Sequence, residues 1–446
     1  MEVDRFSIFK KKSSDEIIFD CETTGLSKDH DNIIEFAAED LGSEARISFP
    51  IKKRKETIAN PEALKTTGKS FQELRKATIS QYDASTRIKE IFEKKSIVYG
   101  HNVGFDRAFV AQSLFMNGHF PYLLSCDKVI IDTLPLFSMA SQFSSKFVIP
   151  EINGKLSHKL EHIFKANFQE DFPAHVASGD VSATKKLLLR VRDLAPSLWD
   201  ARQHLFSKHE RSSLIESNRG VVAYNWFNRE FKILFGAFHS KKMSLVIDPT
   251  ELPNDIDGVI RELDGDKRPK FLKLIYPSIL LPVMKEDFFP ELRLKFATPN
   301  MVFLERVKDL VRKSKFITQE FNDKKFLENQ AFGFPDNIDK ENWDLFHESS
   351  TWEERERIEF ITIRSKRLKQ RILFEEAPYL LPKEVISMMK EAIAQRWMAG
   401  EDSPWLTIEK AVSIIDNQKI VDFKMVQYRQ YLMKLRNRCL SFRNVS

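Results

Sequence analysis

Four carboxylates and one histidine occur in three separate segments, and their residue types could hold two metal ions and activate a water molecule. The residues are Asp20 and Glu22 in I-I-F-D-C-E-T-T-G, Asp106 in G-H-N-V-G-F-D, and His175 and Asp180 in H-V-A-S-G-D. Two divalent ions about 3.5–4 Å apart stabilise both the attacking and the departing oxygen when a phosphodiester is hydrolysed. Magnesium and manganese prefer oxygen ligands, so a few carboxylates suffice to bind them. The set predicts phosphodiester hydrolysis with two Mg2+ ions, for which Mn2+ can substitute.

Each of these segments, taken alone, has an ordinary structural explanation. An Asp-x-Glu at the end of an apolar run commonly marks a solvated strand end, and an Asp at the start of a helix is commonly an N-cap. A histidine beside an acid is more often part of a surface hydrogen bond than a general base. The catalytic interpretation is favoured because all three segments occur in order, each with its own small and aromatic neighbours.

The elements that carry these residues can bring them to one place. Asp20 and Glu22 are two residues apart on a predicted strand, so their side chains share one face of the sheet. Asp180 begins a predicted helix and can bring a third carboxylate to that face, while Asp106 can hold a second ion from another helix start. His175 lies on the approach to the Asp180 helix, where it can take a proton from water. The positions of that helix predicted to face inward are Val181, Thr184, Leu187 and Leu188.

The three motifs together resemble the DEDDh superfamily of 3′-to-5′ exonucleases, and longer stretches resemble the bacterial exonuclease I family within it. N-P-E-A-L-K-T-T-G at 60–68 is similar to that family's P-E-A-x-x-x-T-G segment, and L-S-H-K-L-E-H-I-F-K-A-N at 156–167 to its L-x-x-L-x-x-A-N helix. Weaker similarity occurs at K-L-I-Y-P-S-I-L-L-P-V near Lys273 and at A-F-G-F near Ala331. The resemblance is most specific over roughly the first 190 residues and extends over most of the chain.

This resemblance implies a role for each matching residue of the metal site. Asp20, Glu22 and Asp180 would bind the catalytic metal ion, and Asp20 together with Asp106 would bind the second ion. His175 would be the general base.

The resemblance also implies residues that bind the substrate. Thr23, Thr24 and Leu26 follow the first acids, where the family holds the 3′-terminal nucleotide through backbone amides and an apolar wedge. For Thr24, an ordinary exit from strand to turn explains the residue equally well. Asn102 is expected to help position the strand, whereas a structural hydrogen bond at the end of the I-V-Y-G strand explains His101 as well as a functional role does.

Three functional hypotheses follow from these residues. The first is a magnesium-dependent 3′-to-5′ exonuclease that degrades single-stranded DNA to mononucleotides in DNA repair or recombination. The second keeps the chemistry but makes the enzyme an RNA-trimming or proofreading exonuclease; the extension of about 250 residues argues against it. The third is a non-catalytic protein that binds single-stranded nucleic acid, which predicts the loss of at least one of the five catalytic side chains. All five are present.

The order of predicted elements indicates three domains. Residues 1–196 are predicted to form an α/β ribonuclease H-like exonuclease domain, a mixed sheet flanked by helices, with the site at the strand ends. Residues 197–298 contain short apolar runs broken by turn residues, and the resemblance implies a small β-rich SH3-like domain there. Residues 299–446 contain long amphipathic segments, which predict an α-helical C-terminal domain. In the first domain, strands are predicted near 16–20, 32–40, 45–51, 97–100 and 128–132, and helices near 84–94, 107–117, 157–166 and 180–192.

Composition limits the possible classes of protein. With 446 residues the chain is too long for one core. No apolar run approaches the roughly 18–20 residues needed to span a bilayer, and the N-terminus lacks the apolar stretch of a signal peptide. The three cysteines, Cys21, Cys126 and Cys439, form no C-x-x-C pair, which predicts a reducing, cytoplasmic location and no zinc site. Cys21 should point away from the flanking acids because side chains alternate along a strand.

Charge and aromatic content favour a nucleic-acid partner. The formal net charge is +6 despite the acidic site, and basic runs could contribute phosphate contacts, although each run alone is better explained as a solvated face. Some of the 37 phenylalanines could stack on bases of a single strand. The basic runs are 10–12, 52–55, 185–186, 241–242, 306–315 and 364–371.

Two further expectations concern partners and a departure from the family. The resemblance implies docking of the acidic, Phe-ended tail of single-stranded-DNA-binding protein, for which the helix Arg306–Lys315 with Phe316 is a candidate patch; the protein itself is expected to be a monomer. The family carries an arginine-rich stretch where this chain has E-E-A-P-Y-L-L-P after Phe374. Acidic residues there are expected to weaken any phosphate contact of that segment.

Overall fold

Strands and helices alternate in the first half of the computed structural model, and helices dominate its last third. The structure describes Phe6, Phe9 and residues 14–216, 220–239, 244–275, 283–285, 288–297, 299–317, 337–418 and 422–443. The strands are β1 Glu16–Thr23, β2 Ile33–Asp40, β3 Arg46–Pro50, β4 Ile97–Gly100, β5 Val129–Asp132, β6 Glu151–Ile152, β7 Lys155–Leu156, β8 Gly220–Asn225, β9 Glu230–His239, β10 Ser244–Ile247, β11 Leu272–Ile275 and β12 Val283–Met284. The α-helices are α1 Pro61–Thr66, α2 Phe71–Lys76, α3 Gln81–Glu93, α4 Gly104–Met116, α5 Thr133–Phe143, α6 Leu160–Phe168, α7 Ala177–Leu194, α8 Pro196–Phe206, α9 Lys208–Glu216, α10 Ile256–Asp264, α11 Met301–Arg312, α12 Asn337–Glu348, α13 Trp352–Arg357, α14 Ile363–Glu376, α15 Lys383–Trp397, α16 Ile408–Asp416 and α17 Phe423–Arg443.

The first sheet is mixed, with strand order β3-β2-β1-β4-β5. β1 pairs antiparallel with β2 and parallel with β4, and β4 pairs parallel with β5. Helices cover both faces of this sheet, which confirms the predicted ribonuclease H-like fold. Along β1, Ile18 faces the core cluster that includes α7, whereas Ile17, Phe19 and Cys21 face the cluster on the other side. Cys21 therefore points away from the neighbouring acids, as the alternation predicts.

Helix α7 packs across β1 and β2 and carries Asp180 to them. The four positions predicted to face inward are buried, and each fully buried Leu or Val contributes about 1.5–3 kcal/mol of hydrophobic stabilisation. The helix begins at Ala177, three residues before the predicted start, so that Asp180 lies in its first turn. A carboxylate there is favoured by the partial positive charge of the helix N-terminus.

The second sheet is antiparallel in the order β11-β10-β9-β8-β12. It confirms β structure in the middle of the chain, while the SH3-like description remains a prediction. Two details differ from the sequence analysis. Residues 196–216 form α8 and α9, and α8 packs against β5 and α7, so the chain does not leave the first domain at Ala195. Helix α11, predicted to belong to the C-terminal domain, packs on β9 and supplies buried Leu and Val side chains to the sheet's core.

The C-terminal helices pack back onto the first domain at two places. One cluster joins Ile58 and Leu64 to α16 and α17, where the Tyr428 hydroxyl donates to the Ala59 carbonyl at 2.7 Å. The other joins the end of α4 to α12, and the rings of His119 and His347 stack there with their centroids 3.8 Å apart. The helical region is therefore fixed to the nuclease domain.

The acidic segment after Phe374 has a structural role at this junction. The Glu375 carboxylate accepts from the Lys55 backbone N–H at 3.0 Å, and Lys55 Nζ donates to the Phe374 carbonyl at 2.7 Å. Arg371 lies 3.4 Å from Glu56 and donates to the Met116 carbonyl at 2.8 Å. Parts of the basic runs 52–55 and 364–371 thus hold the two regions together. The acids after Phe374 neutralise that junction, which gives them a function other than weakening a phosphate contact.

Removing the Arg371 side chain should separate these two regions more easily. In Arg371→Ala the Glu56 carboxylate loses the charge of Arg371 but keeps those of Arg54 and Arg396 nearby, so the cost should lie below the roughly 3–5 kcal/mol of a fully broken buried pair. We expect a lower midpoint in thermal and denaturant unfolding and faster limited proteolysis between the regions. Arg429→Ala, which removes a half-exposed pair with Asp416, is the matched control and should change little. An unchanged midpoint for Arg371→Ala would show that this ion pair does not stabilise the contact between the two regions.

Candidate active site

Three of the predicted ligands form one cluster. A carboxylate oxygen from each of Asp20, Glu22 and Asp180 can be chosen so that all three atoms lie within 4.8 Å of one another. β1 supplies two of them on one face, and the first turn of α7 supplies the third. All three side chains are partly accessible to solvent. Three oxygen donors at this spacing fit a hard divalent cation, since Mg2+ and Mn2+ bind few protein carboxylates and keep several waters.

The carboxylates repel one another and are partly desolvated. The pKa of Asp20 is raised well above its usual value by burial and then by the charges of Asp106 and Asp180. Burial, followed by neighbouring carboxylates, raises the pKa of Glu22 to about 7. Burial raises the pKa of Asp180 to about 7 as well, although the His175 backbone N–H opposes the shift. A divalent cation would reverse this cost because it attracts all three charges.

Asp106 lies beside the cluster and is buried in the first turn of α4. Its Oδ1 atom accepts from the Cys21 backbone N–H at 3.1 Å, which fixes it against β1 between the other two acids. Burial raises its pKa well above the usual value, and Glu22 and Asp132 add to that shift. The structure therefore brings Asp106 to the site, although it is not one of the three grouped donors.

His175 occupies the turn before α7 with its side chain exposed. Its backbone has φ 61°, in the left-handed region, and its N–H donates to Asp180 Oδ2 at 3.1 Å. A Cβ on Gly179 would lie 2.3 Å from the Pro173 carbonyl oxygen, so glycine permits this turn to approach the helix closely. The backbone thus fixes His175 beside Asp180, one of the three clustered carboxylates, and leaves its imidazole open to a substrate or water.

The loop after β1 contains both buried residues that stabilise the turn and an exposed residue at its tip. The Thr24 side chain is buried, donates to Asp31 at 2.9 Å and accepts from the Asn32 backbone N–H at 2.9 Å. Thr23 Oγ1 donates to the Gly25 carbonyl at 2.7 Å. Leu26, at the tip, is 84% exposed. Thr24 therefore holds the turn, as its structural explanation predicts, whereas Leu26 is open to a ligand.

Of the two residues that follow β4, Asn102 is exposed, whereas the His101 side chain is hydrogen-bonded within the protein. Asn102 is exposed with φ 57°, and its backbone N–H donates to Asp132 Oδ1 at 2.9 Å. His101 donates from Nε2 to the His158 carbonyl at 2.8 Å, so its Nδ1 accepts from the Thr133 hydroxyl at 3.1 Å. Burial lowers the pKa of His101 to about 4, so the ring is neutral at pH 7. His101 therefore makes the hydrogen bonds that its structural explanation predicts.

Sequence reasoning missed a fifth acid at the site. Glu35 on β2 is the cross-strand partner of Glu22, and its charge raises the pKa of Asp20, Glu22 and Asp180. Lys69 Nζ lies 2.5 Å from Glu35 Oε2 and lowers the pKa of Glu22. The register of the β1–β2 pair would have revealed Glu35, but the turn that sets this register is not evident from residue types alone.

Comparison with known proteins defines the class of the N-terminal region. Residues 17–188 match the RNase_T family, described as exonuclease, so the chain contains an exonuclease domain of this family. This match spans all of the motifs that carry the carboxylates and His175.

Relatives of known name share more than this domain. The chain is 29% identical over 274 residues to exodeoxyribonuclease I of Escherichia coli, an alignment that spans 57% of each chain. The solved structure of E. coli exonuclease I in complex with a dT13 oligonucleotide superposes with a TM-score of 0.77 at 20% identity, over 95% of this chain and 99% of that one. An exonuclease I from Methylocaldum szegediense gives 0.76 at 17% identity over 95% and 99%. Over 95% of its length the chain therefore shares the fold of exonuclease I.

Polymerases are also similar, but over a smaller part of this chain. The PolC-type DNA polymerase III of Pediococcus pentosaceus is 27% identical over 182 residues, which are 37% of this chain and 11% of the polymerase.

Proposed function

We propose that this protein is a 3′-to-5′ exodeoxyribonuclease that degrades single-stranded DNA to nucleoside 5′-monophosphates. The observation that carries the proposal is the cluster of Asp20, Glu22 and Asp180 within an exonuclease domain, with Asp106 and His175 beside it. The likeness to exonuclease I over 95% of the chain favours this substrate over those of proofreading domains, since the alignment with a polymerase covers only 37% of this chain.

Each residue of the site has a defined task in this reaction. Asp20, Glu22 and Asp180 would hold one divalent ion, and Asp20 with Asp106 a second. Two Mg2+ ions would supply positive charge for the attacking and departing oxygens. His175, exposed and fixed beside Asp180, would accept the proton of the attacking water. Leu26 and the backbone after Thr23 would hold the terminal nucleotide, and Asn102 would position the strand.

The experiment that tests the substrate compares DNA, RNA and duplex under one condition. Strands of equal sequence, each labelled at its 5′ end, are incubated with Mg2+ and the products are resolved by length. The proposal predicts that single-stranded DNA is shortened progressively while duplex is resistant. Faster shortening of RNA than of DNA would favour the RNA-trimming alternative. Binding of DNA without cleavage of any strand would favour the non-catalytic one.

Leu26 provides a prediction about the grip on the strand. Because its side chain is 84% exposed, Leu26→Ala should leave the Tm unchanged. Loss of apolar contact with the terminal base should raise KM about 5- to 30-fold, with a smaller effect on kcat. Steady-state kinetics on single-stranded DNA measure both. Leu345→Ala, which truncates a 54% exposed leucine on α12, is the matched control. An unchanged KM for Leu26→Ala would exclude this contact.

A protein partner is proposed on the basis of the resemblance and of helix α11. The structure corrects the candidate patch, because Phe316 is only 7% exposed and belongs to the core cluster of the second sheet. Exposed Arg306 and Lys313 remain, and Met301 and Val302 provide exposed apolar surface on the same helix. These side chains fit the acidic, Phe-ended tail of single-stranded-DNA-binding protein.

Binding of that tail can be measured directly. A fluorescent tail peptide should bind the wild type, and the double substitution Arg306→Ala and Lys313→Ala should weaken its binding, whereas Lys390→Ala on α15 should not. Absence of peptide binding, or equal binding by the double variant, would remove α11 as the site.

The proposal also concerns membrane association, cellular location and oligomeric state. Among the described residues no helix is long and apolar enough to cross a membrane. In the part of the chain that the structure describes, the three cysteines form no disulfide, and Cys126 is exposed, in keeping with the cytoplasmic location that we propose. We also propose a monomer that acts in DNA repair or recombination; light scattering during gel filtration would measure the oligomeric state.

A further inference from the structure

An aromatic hairpin projects from the second sheet. The turn between β8 and β9 carries Trp226 and Phe227, whose rings lie edge to face with centroids 5.8 Å apart. Phe227 is 71% exposed and belongs to none of the hydrophobic clusters formed by the described residues, and its backbone N–H donates to Asn225 Oδ1 at 3.1 Å. This hydrogen bond helps to fix the turn. The Phe227 ring faces solvent and does not contribute to a hydrophobic core.

The hairpin is fixed to the nuclease domain through helix α5. Ser138 Oγ donates to the Trp226 carbonyl at 3.0 Å and lies 2.9 Å from the Tyr224 hydroxyl. With its amide oriented to accept, Gln142 receives two hydrogen bonds from Arg229 at 2.9 and 3.0 Å. These contacts involve both sides of the turn, so the position of Phe227 is set relative to the nuclease domain.

A short chain of contacts connects this hairpin to the active site. The Trp226 ring meets the His158 ring edge to face at 5.0 Å. The His158 carbonyl accepts the hydrogen bond from His101, the residue that precedes Asn102. Both residues follow β4, and β4 pairs parallel with β1, the strand that carries Asp20 and Glu22. The hairpin thus lies next to the strand ends that carry the catalytic acids.

We propose that Phe227, supported by Trp226, is a base-stacking site for the single strand, a few nucleotides upstream of the bond that is cut. This inference rests on the proposed function and adds a binding residue of the second sheet to it. β1 and β5 are two strand spacings apart, about 10 Å, and the hairpin continues beyond β5 through α5. A strand whose 3′ end lies at the metal cluster would therefore pass the hairpin with its next nucleotides. An aromatic face suits every base, as binding without sequence preference requires.

Position distinguishes Phe227 from another exposed aromatic pair. Phe120 and Tyr122 are 48% and 40% exposed but follow the C-terminal end of α4. Asp106 lies at the start of this 13-residue helix, so the pair is about 20 Å from the site. Phe120 therefore serves as a matched control. It is an exposed phenylalanine of the same protein that should not contact the bound DNA near its 3′ end.

The test measures affinity for single-stranded DNA oligonucleotides that each lack one base, at successive positions from the 3′ end, in EDTA to prevent hydrolysis. The wild type should lose about 5- to 150-fold in affinity when the stacked base is missing. Phe227→Ala should lose the same factor on the intact strand and show no further loss at that position, because the two changes remove one interaction. Phe227→Trp should restore the affinity, and Phe120→Ala should behave as the wild type.

Two results would overturn the proposal. Either Phe227→Ala binds the intact strand as tightly as the wild type, or the effect of each missing base persists in Phe227→Ala at every position. Failure of the wild type to cut or bind single-stranded DNA would instead contradict the proposed function itself. Because Phe227 is exposed, Phe227→Ala should keep the wild-type Tm, which separates a binding effect from unfolding.

Discussion

Asp20→Asn should abolish hydrolysis and at the same time stabilise the metal-free protein. Asp20 is the carboxylate shared by both proposed ions, so its loss removes several kcal/mol of charge stabilisation, or at least about 10³-fold in kcat. The stability effect has the opposite sign because the pKa of Asp20 is raised by burial and by neighbouring carboxylates. Removing that charge should raise the metal-free Tm at pH 7.5 by about 1–3 °C.

Both effects can be measured on one preparation. Release of mononucleotides gives kcat, and thermal unfolding in EDTA gives the Tm. Asp193→Asn, which neutralises an exposed carboxylate at the end of α7, is the control and should change neither. If Asp20→Asn is both less active and less stable than the wild type, Asp20 has a structural role. If Asp20→Asn keeps the wild-type activity, Asp20 is not part of the active site.

The second large effect is a dependence of stability on pH that metal reverses. The pKa values of Glu22 and Asp180 are raised to about 7 in the folded protein from usual values of 4.5 and 3.8. Between these limits the unfolded chain loses its protons first, so stability in EDTA should fall as pH rises from about 4.5 to 7. Metal binding requires the deprotonated acids and becomes stronger over the same range.

The difference in Tm between Mg2+ and EDTA should therefore be small at pH 5.5 and largest near pH 8. Glu22→Gln should flatten the curve in EDTA and reduce the gain from Mg2+. Differential scanning fluorimetry across this range measures both. A metal-induced shift that is equal at pH 5.5 and pH 8 would contradict the assignment of these two acids as ligands.

The sequence was most informative where chemistry and local periodicity coincide. Asp20 and Glu22 had to share a face because they alternate with Cys21 on a strand, and the inward positions of the Asp180 helix follow from its period. Both expectations are met in the structure. The sequence only partly distinguished the substrate-binding role expected of Leu26 from the structural role of Thr24, because the exposure of a loop residue depends on what packs against the loop.

What the sequence did not reveal depends on contacts between distant segments. Glu35 joins the site through strand register, and the basic runs 52–55 and 364–371 meet buried acids from the opposite region instead of forming only a phosphate path. Phe316 and Phe227 are indistinguishable by residue type, yet one is in a core and the other at an exposed tip. The candidates at 10–12, 241–242 and 331–334 lie outside the described residues.

The most direct test of the central claim is the release of label from single-stranded DNA carrying a 3′-terminal or a 5′-terminal radioactive phosphodiester, in Mg2+ and in EDTA. In Mg2+, we expect 3′ label to appear at once as nucleoside 5′-monophosphate while 5′ label remains in progressively shorter strands. We expect no release in EDTA and none from Asp20→Asn. Release of 5′ label first, internal cleavage, or release that persists in EDTA would contradict metal-dependent 3′-to-5′ hydrolysis.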